Sequence, residues 1–241
     1  MDTPVCGKLY LVPTPIGNLG DMTPRALEVL ATVDLVACED TRTSGRLLAK
    51  FELKKRLISY HEFNERSRAG RLLESLKAGQ SVAVVTDAGS PGISDPAYRV
   101  VRAALENGIE IVPIPGASAL IPALTASGLP TDRFLFEGFL SHKSSARRRR
   151  LEQLASFGHT MIFYESPHRV VQTLTAMREV LGNRQACLAR EISKKFEQFI
   201  RGSLDNILEQ IAGTTVKGEI VLVVAGNTEP AREDVADKDT D

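Results

Sequence analysis

Eleven consecutive residues, Thr86-Asp87-Ala88-Gly89-Ser90-Pro91-Gly92-Ile93-Ser94-Asp95-Pro96, carry the densest set of backbone specialists in the chain. Gly89 and Gly92 allow positive φ and close approach to a ligand, and Pro91 stiffens the segment between them. Asp87 adds a carboxylate to the segment. The same pattern also describes a well-made turn whose Asp87 caps its own loop. Two more stretches share its character, Pro13-Thr14-Pro15-Ile16-Gly17-Asn18 and Pro113-Ile114-Pro115-Gly116-Ala117-Ser118. Three stiffened loops with few fixed charges suit a small nucleoside-like molecule. The chain has neither G-x-G-x-x-G nor G-x-x-x-x-G-K-[ST], so dinucleotide and triphosphate cradles lack their signatures.

Proton acceptors are offered by two polar clusters, Glu39-Asp40-Thr41-Arg42 and Tyr60-His61-Glu62-Phe63-Asn64-Glu65. Asp40 and His61 are the leading candidates there, with Glu165 and His168 of Phe163-Tyr164-Glu165-Ser166-Pro167-His168-Arg169 as alternatives. Each has a plainer role as well: Asp40 as a helix cap, His61 as a surface histidine, and Ser166-Pro167 as an N-cap followed by an N1 proline. Arg147, Arg148, Arg149 and Arg150, preceded by His142-Lys143, form the one strongly basic run. Read as a helix start, it puts cations at the unfavourable end of the dipole, a cost that nucleic-acid phosphate would offset. A solvated helix face is the simpler alternative. With nine Phe, four Tyr and no Trp, no aromatic platform for splayed bases is evident, so any nucleic-acid recognition would lean on charge and shape.

The elements that must hold these residues alternate. Residues 8–12, 34–38, 57–60, 81–86 and 110–113 read as short, nearly continuous apolar strands, as parallel strands covered on both faces do. Thr23-Pro24 and Asp95-Pro96 read as an N-cap with an N1 proline, and Gly79 and Gly108 as residues just past helix ends. This alternation predicts a parallel α/β sheet with the three loops at one edge. After a helix at 118–127, strands are expected at 133–139, 160–164, 186–190 and 220–225. The alternating 195–202 segment reads as a half-exposed antiparallel strand, giving a mixed second sheet. The expectation is two α/β domains, 1–114 and 115–227, with residues 228–241, six acids against two bases, as a disordered tail.

The chain has 241 residues, 30 basic and 30 acidic, so any grip on a polyanion must come from local patches. Cys6, Cys38 and Cys187 are odd in number and lie in no C-x-x-C pair, which argues against a disulfide framework and a thiolate zinc site. No metal is expected. Residues 1–10 show no signal-peptide pattern and the apolar run 220–225 is too short to span a bilayer, so the expectation is a cytoplasmic protein without a membrane partner.

In order along residues 7–226, LYLVPTPIGNLGD, TDAGSPGISDP, PGASA, FYESPHR, LARE and KGEIVLVVAG resemble the motifs of the tetrapyrrole methylase family, the class III S-adenosylmethionine-dependent methyltransferases. The loop at 87–96 is similar to that of the family's ribosomal RNA branch, since tetrapyrrole enzymes typically carry G-D-P there. The resemblance implies two α/β domains with S-adenosylmethionine in a cleft between them, usually in a homodimer. It also implies methylation of a cytidine ribose 2′-hydroxyl near the decoding region of 16S rRNA, in the small ribosomal subunit or an assembly intermediate. By matching position, cofactor contacts fall on Pro15, Asp87, Ala88, Gly89, Ile93, Ser118 and Ala119, and on Tyr164, Leu188, Ala189 and Gly218. The glutamate and histidine clusters also resemble motifs of the ribosomal branch, which makes Arg42 a phosphate or sugar contact beside Lys143 and the arginine run. A small-molecule methyltransferase on this fold, or a non-catalytic assembly factor that keeps a cofactor cleft, is the alternative.

Overall fold

The computed structural model describes residues 6–227, and the expected tail at 228–241 lies outside them. The chain divides into two compact units. The first holds the described residues up to Pro122 together with Glu191–Gln198; the second holds Ala123–Arg190 and the described residues from Phe199 onward. The boundary expected at 114/115 falls within the first unit as the chain divides here.

The first unit contains β1 (Leu9–Leu11), α1 (Pro24–Thr32), β2 (Leu35–Cys38), α2 (Thr41–Lys50), β3 (Arg56–Ser59), α3 (Glu65–Lys77), β4 (Val82–Val84), α4 (Tyr98–Glu106) and β5 (Ile111–Pro113). Its sheet runs β3-β2-β4-β1-β5 and every pairing is parallel. Alternate residues of each strand enter different cores, as the two-residue period of a strand requires. Leu9, Leu35, Ala37, Val82 and Val84 pack with Leu72 and Leu76 of α3 and Val100 and Ala104 of α4. Val12, Val36, Cys38, Ala83 and Val85 pack with Ala26 and Leu30 of α1 and Leu48 of α2. Covering both faces explains why these strands read as unbroken apolar runs.

Thr23 caps α1, its hydroxyl accepting from the Ala26 amide at 3.2 Å, and Gly79 and Gly108 adopt φ of 86° and 67° as expected. The parallel device at Asp95-Pro96 is corrected: α4 begins at Tyr98 with Ala97 in the cap position and no side-chain cap bond. Gly92 (φ 86°) and Ser94 (φ 62°) keep the loop turning, so Asp95 never enters the geometry of a cap. Its carboxylate is thereby released for another use.

Within α5 (Leu120–Ala126) the chain passes to the second unit. That unit contains β6 (Phe134–Phe139), α6 (Ser144–Leu154), β7 (Thr160–Glu165), α7 (Val170–Leu181), β8 (Gln185–Arg190), β9 (Gln198–Ser203), α8 (Leu204–Ile211) and β10 (Ile220–Val224). Its sheet runs β6-β7-β10-β8-β9; β6 and β7 are parallel, and β10 is antiparallel to both β7 and β8, so the sheet is mixed as expected. Met161, Phe163, Leu188, Leu222 and Val224 form its core with Leu151, Leu174, Met177 and Ile207 of the helices.

Two expectations change here. The strand expected from 195 starts at Gln198, because Glu191 (φ 51°) and Ser193 (φ 67°) turn the preceding chain. The Glu197 carboxylate accepts from the Ser193 amide at 2.6 Å, and Lys194 pairs with Glu191 at 2.9 Å, fixing that turn. It returns to the first unit, where the Ser193 hydroxyl donates to Asp21 and the Lys194 stem covers Gly17. Ser166-Pro167 is a turn and not a helix start, since α7 begins at Val170 with Arg169 in the cap position.

Candidate functional site

Parallel strands point all their carboxyl ends one way, so the loops after β1, β2, β3, β4 and β5 gather at one edge. In the order β3-β2-β4-β1-β5, the chain leaves β2 toward β3 and leaves β4 toward β5. The two departures diverge between neighbouring strands, the kind of switch point at which open α/β sheets bind ligands.

The three stiffened loops are bonded together at this point. Thr14 and Gly89 exchange two backbone hydrogen bonds, both 2.9 Å. The buried Thr14 hydroxyl donates to the Thr86 carbonyl at 3.0 Å, and the buried Thr86 hydroxyl donates to the Gly89 carbonyl at 3.1 Å. Ser90 donates to the Ala117 carbonyl at 3.1 Å, which ties the loop after β4 to the one after β5. Gly116 lies so near Pro13 that a Cβ there would stand 2.8 Å from the proline Cβ. Gly89 and Gly92 take φ of 88° and 86°, the left-handed conformation for which glycine was expected. Pro15, Asp87, Ala88, Gly89, Ile93, Ser118 and Ala119 therefore stand on one bonded framework in the first unit. Asp87, Ala88 and Ile93 are exposed, and Ser118 and Ala119 are half-buried.

The carboxylates of this edge interlock. Glu39 accepts from the Asp87 amide at 3.1 Å, while Asp87 accepts from the Asp40 amide at 3.3 Å. Desolvation, followed by the neighbouring charge of Asp87, raises the Glu39 pKa; desolvation likewise leads the upward shift at Asp87. Asp95 is displaced furthest, to about 7, by burial first and then by the charges of Glu39 and Asp87. Among the described residues, none of these three acids is in an ion pair. The edge is thus electrostatically prepared for a cation, which would relieve all three at once. Sequence reasoning missed Asp95 because the Asp-Pro pair has the form of a helix cap. The signal that was available is the run of turn-forming residues immediately before it.

The expected proton acceptors are differently placed. Asp40 caps α2, accepting from the Arg42 amide at 2.8 Å, and both its oxygens receive the Arg42 guanidinium, the shorter contact being 2.7 Å. Arg42 holds the Asp40 carboxyl well below the usual carboxylate range, which makes it a weak base. His61 accepts at Nε2 from the Asn64 amide at 2.9 Å; that amide's oxygen accepts from the His61 backbone N–H, also at 2.9 Å, which fixes its orientation. The neutral ring then carries its proton on Nδ1, which is buried and has no partner. His61 is thus arranged as a donor. The carboxylate of Glu165, in the second unit, is filled: Oε1 accepts from the Ser166 amide and pairs with Arg169, both at 2.7 Å, and Oε2 accepts from the Thr173 hydroxyl at 2.6 Å. His168 is exposed in the turn after it.

In the second unit, Tyr164 packs edge-on against Phe136 and Phe139 at ring-centroid distances of 4.9 and 5.6 Å. Leu188 and Ala189 are fully buried on β8, so either can offer a ligand only its backbone. Gly218, at φ 92°, precedes β10. The basic run lies from the fourth to the seventh residue of α6, not at the helix start as expected, and of its four arginines Arg147 alone turns inward. Arg147 is 6% exposed, with Nε and Nη1 lacking partners, and is not on a surface patch. Arg148 pairs with Glu152 and Glu179, and Arg150 with Glu137 at 2.6 Å. Lys143 and Arg149 are exposed and, among the described residues, outside any ion pair.

Residues 8–208 match the family model described as Tetrapyrrole (Corrin/Porphyrin) Methylases. A Ribosomal RNA small subunit methyltransferase I from Synechocystis sp. is 54% identical over 223 residues, 92% of this chain and 80% of that protein. Among solved structures, a diphthine synthase superposes with a TM-score of 0.72 at 19% identity, covering 91% of this chain and 90% of that one. A uroporphyrin-III C-methyl transferase from Thermus thermophilus, complexed with S-adenyl homocysteine, gives a TM-score of 0.62 at 21% identity, covering 91% of this chain and 97% of that one. The architecture and the sequence agree on one assignment: the chain belongs to the tetrapyrrole (corrin/porphyrin) methylase family.

Proposed function

We propose that this protein is an S-adenosylmethionine-dependent methyltransferase acting on small-subunit ribosomal RNA, with a cytidine ribose 2′-hydroxyl as the acceptor. The observation that carries the reading is the unpaired carboxylate cluster of Glu39, Asp87 and Asp95 on a framework of three bonded loops. The donor set fits the cofactor: a sulfonium and an ammonium are cations, while Gly89, Gly92 and the buried threonines leave backbone close to any ligand. When bound, the cofactor supplies a methyl group on positively charged sulfur. The 54% identity to a relative named for ribosomal RNA supports RNA over a tetrapyrrole as the acceptor.

The protein's own share of the chemistry is alignment and proton management. Interlocked loops with little freedom hold the reacting partners in line, the largest contribution available when charge is dispersed in the transition state. Asp87 holds the donor's amine or ribose. Asp95, a half-buried carboxylate of the same edge, is the acceptor proposed for the proton that a ribose hydroxyl gives up. Asp40 and Arg42 form a fixed pair that presents the guanidinium to a phosphate or sugar. His61, held by Asn64, stands near Glu39 and acts on that carboxylate's charge. Lys143, just before α6, and Arg149 within it are exposed cations available to meet phosphate. The cytoplasm, where ribosomal subunits assemble, is the proposed location, and a homodimer the proposed assembly.

Nucleoside mass spectrometry of small ribosomal subunits from cells lacking the gene, incubated with the purified protein and S-adenosylmethionine, tests this reading. A gain of 2′-O-methylcytidine is expected. Methyl transfer to a base atom would correct the acceptor, and no transfer to subunit or free RNA would refute the reading.

A further inference from the structure

A pocket of about 320 Å3 opens beside the bonded loops, lined by Pro15, Gly17 and Asp87 on one side and by Ser44, Arg46 and Lys50 of α2 on the other. Arg46 and Lys50 are four residues apart, so they project from one side of the helix about 6 Å from each other along its axis. Both are exposed, and among the described residues neither makes an ion pair. Lys50 in the last turn complements the helix dipole, which accounts for that lysine and leaves Arg46 without a structural purpose. Ser44 is 3% exposed. Its hydroxyl lies beside the Cys38 thiol and has no oxygen or nitrogen partner, while the thiol itself faces the Ile58 carbonyl at 3.7 Å. That hydroxyl is itself closed to solvent, so on this side the pocket offers a ligand the two cations.

We propose that this pocket seats one phosphodiester of the RNA backbone adjacent to the methylated nucleotide, held by Arg46 and Lys50. The inference rests on the RNA reading above and gives it a surface. Asp87 in the opposite wall repels a free dianion, so the seat favours a singly charged phosphodiester brought in by a larger ligand. The shared wall also places that phosphate next to the proposed donor site. Such a contact positions the RNA without reading its sequence.

The double variant Arg46→Gln/Lys50→Gln, compared with wild type on unmethylated small ribosomal subunits, tests the seat. Both side chains are exposed, so the fold should survive, which thermal melting checks. KM for subunits should rise about tenfold with kcat within about twofold, as removal of uniform binding predicts. The slope of log affinity against log salt should flatten by about 0.7–0.9, the share of a single phosphate that is no longer neutralised. Arg46→Lys/Lys50→Arg should restore both. Unchanged KM and salt slope would overturn the proposal. So would a loss of S-adenosylmethionine affinity with RNA parameters intact, which would give the two cations to the methionine carboxylate. A wild-type protein that neither binds nor methylates subunits would instead defeat the RNA reading itself.

Discussion

At the carboxyl edge of the first sheet, Glu39, Asp87 and Asp95 crowd together and their charges go unanswered. On α6 and β7 of the second unit most charges are answered, the buried Arg147 excepted. Arg148 and Arg150 meet three glutamates, and Glu165 meets Arg169, Thr173 and a backbone amide. In sequence the second set is the more eye-catching, with four consecutive arginines and a compact Glu-Ser-Pro-His motif. The structure spends much of that charge on its own cohesion. Polar groups whose valences are filled from within hold a fold together. Groups left strained, as like charges or orphaned donors, are where an external partner has most to offer.

The contrast can be tested by breaking each side. Glu165→Ala removes a side chain that is 1% exposed and strands Arg169 and Thr173. Loss of one partner from a buried pair predicts destabilisation of about 3 kcal/mol, read as a Tm lower by roughly 6–12 °C. If Glu165 were a catalytic base, activity would fall with Tm unmoved, and differential scanning calorimetry separates the two.

Asp95→Asn should act in the reverse sense. The folded-state pKa of Asp95 is raised to about 7, so between pH 4 and 7 the folded chain binds more protons than the unfolded one. Stability therefore falls as pH rises through that window. The variant should flatten this slope and gain on the order of 1–2 kcal/mol at pH 8, after allowance for solvent screening. It should also lose turnover, together with the rising limb of kcat/KM near pH 7, which reports the free enzyme. A variant as active as wild type, with the same pH profile, would remove Asp95 from the chemistry.

The smallest effect is expected for Arg148→Gln. Its pairs with Glu152 and Glu179 are half-exposed, and such pairs contribute about 0.2–1 kcal/mol. Stability should drop by less than about 1 kcal/mol and the salt dependence of RNA binding should hardly change. A slope flattened as much as by Arg149→Gln would show that the α6 ion pairs open to meet phosphate.

Most of the fold was legible in the chain. Apolar runs covered on both faces, Thr23-Pro24 and Gly79 are local signals with local consequences, and they placed the first sheet and its loops. The mixed second sheet followed from strand runs in the same way. What was not legible depended on chain that returns from afar. The 191–198 turn joins the first unit through Asp21 and Gly17, partners far away in sequence. Likewise, Asp95-Pro96 looks like a cap until the preceding Gly92 and Ser94 are seen to turn left-handed. The loops of the site were visible as glycines and prolines. Which acids stayed unpaired was not, because pairing is decided by neighbours on β2 and β4 that sequence spacing does not reveal.

The central claim is that the acidic edge of the first sheet is completed by a cationic methyl donor. Calorimetric titration of S-adenosylmethionine at pH 6.5, in two buffers of different ionisation heat, measures this most directly, with Asp87→Asn and S-adenosylhomocysteine as comparisons. The account predicts that protons are released on binding, as the cation draws the raised acids down. Fewer protons should be released with the uncharged sulfur of S-adenosylhomocysteine, and affinity should fall about tenfold or more in Asp87→Asn. Binding with no proton release and undiminished affinity in the variant would contradict it.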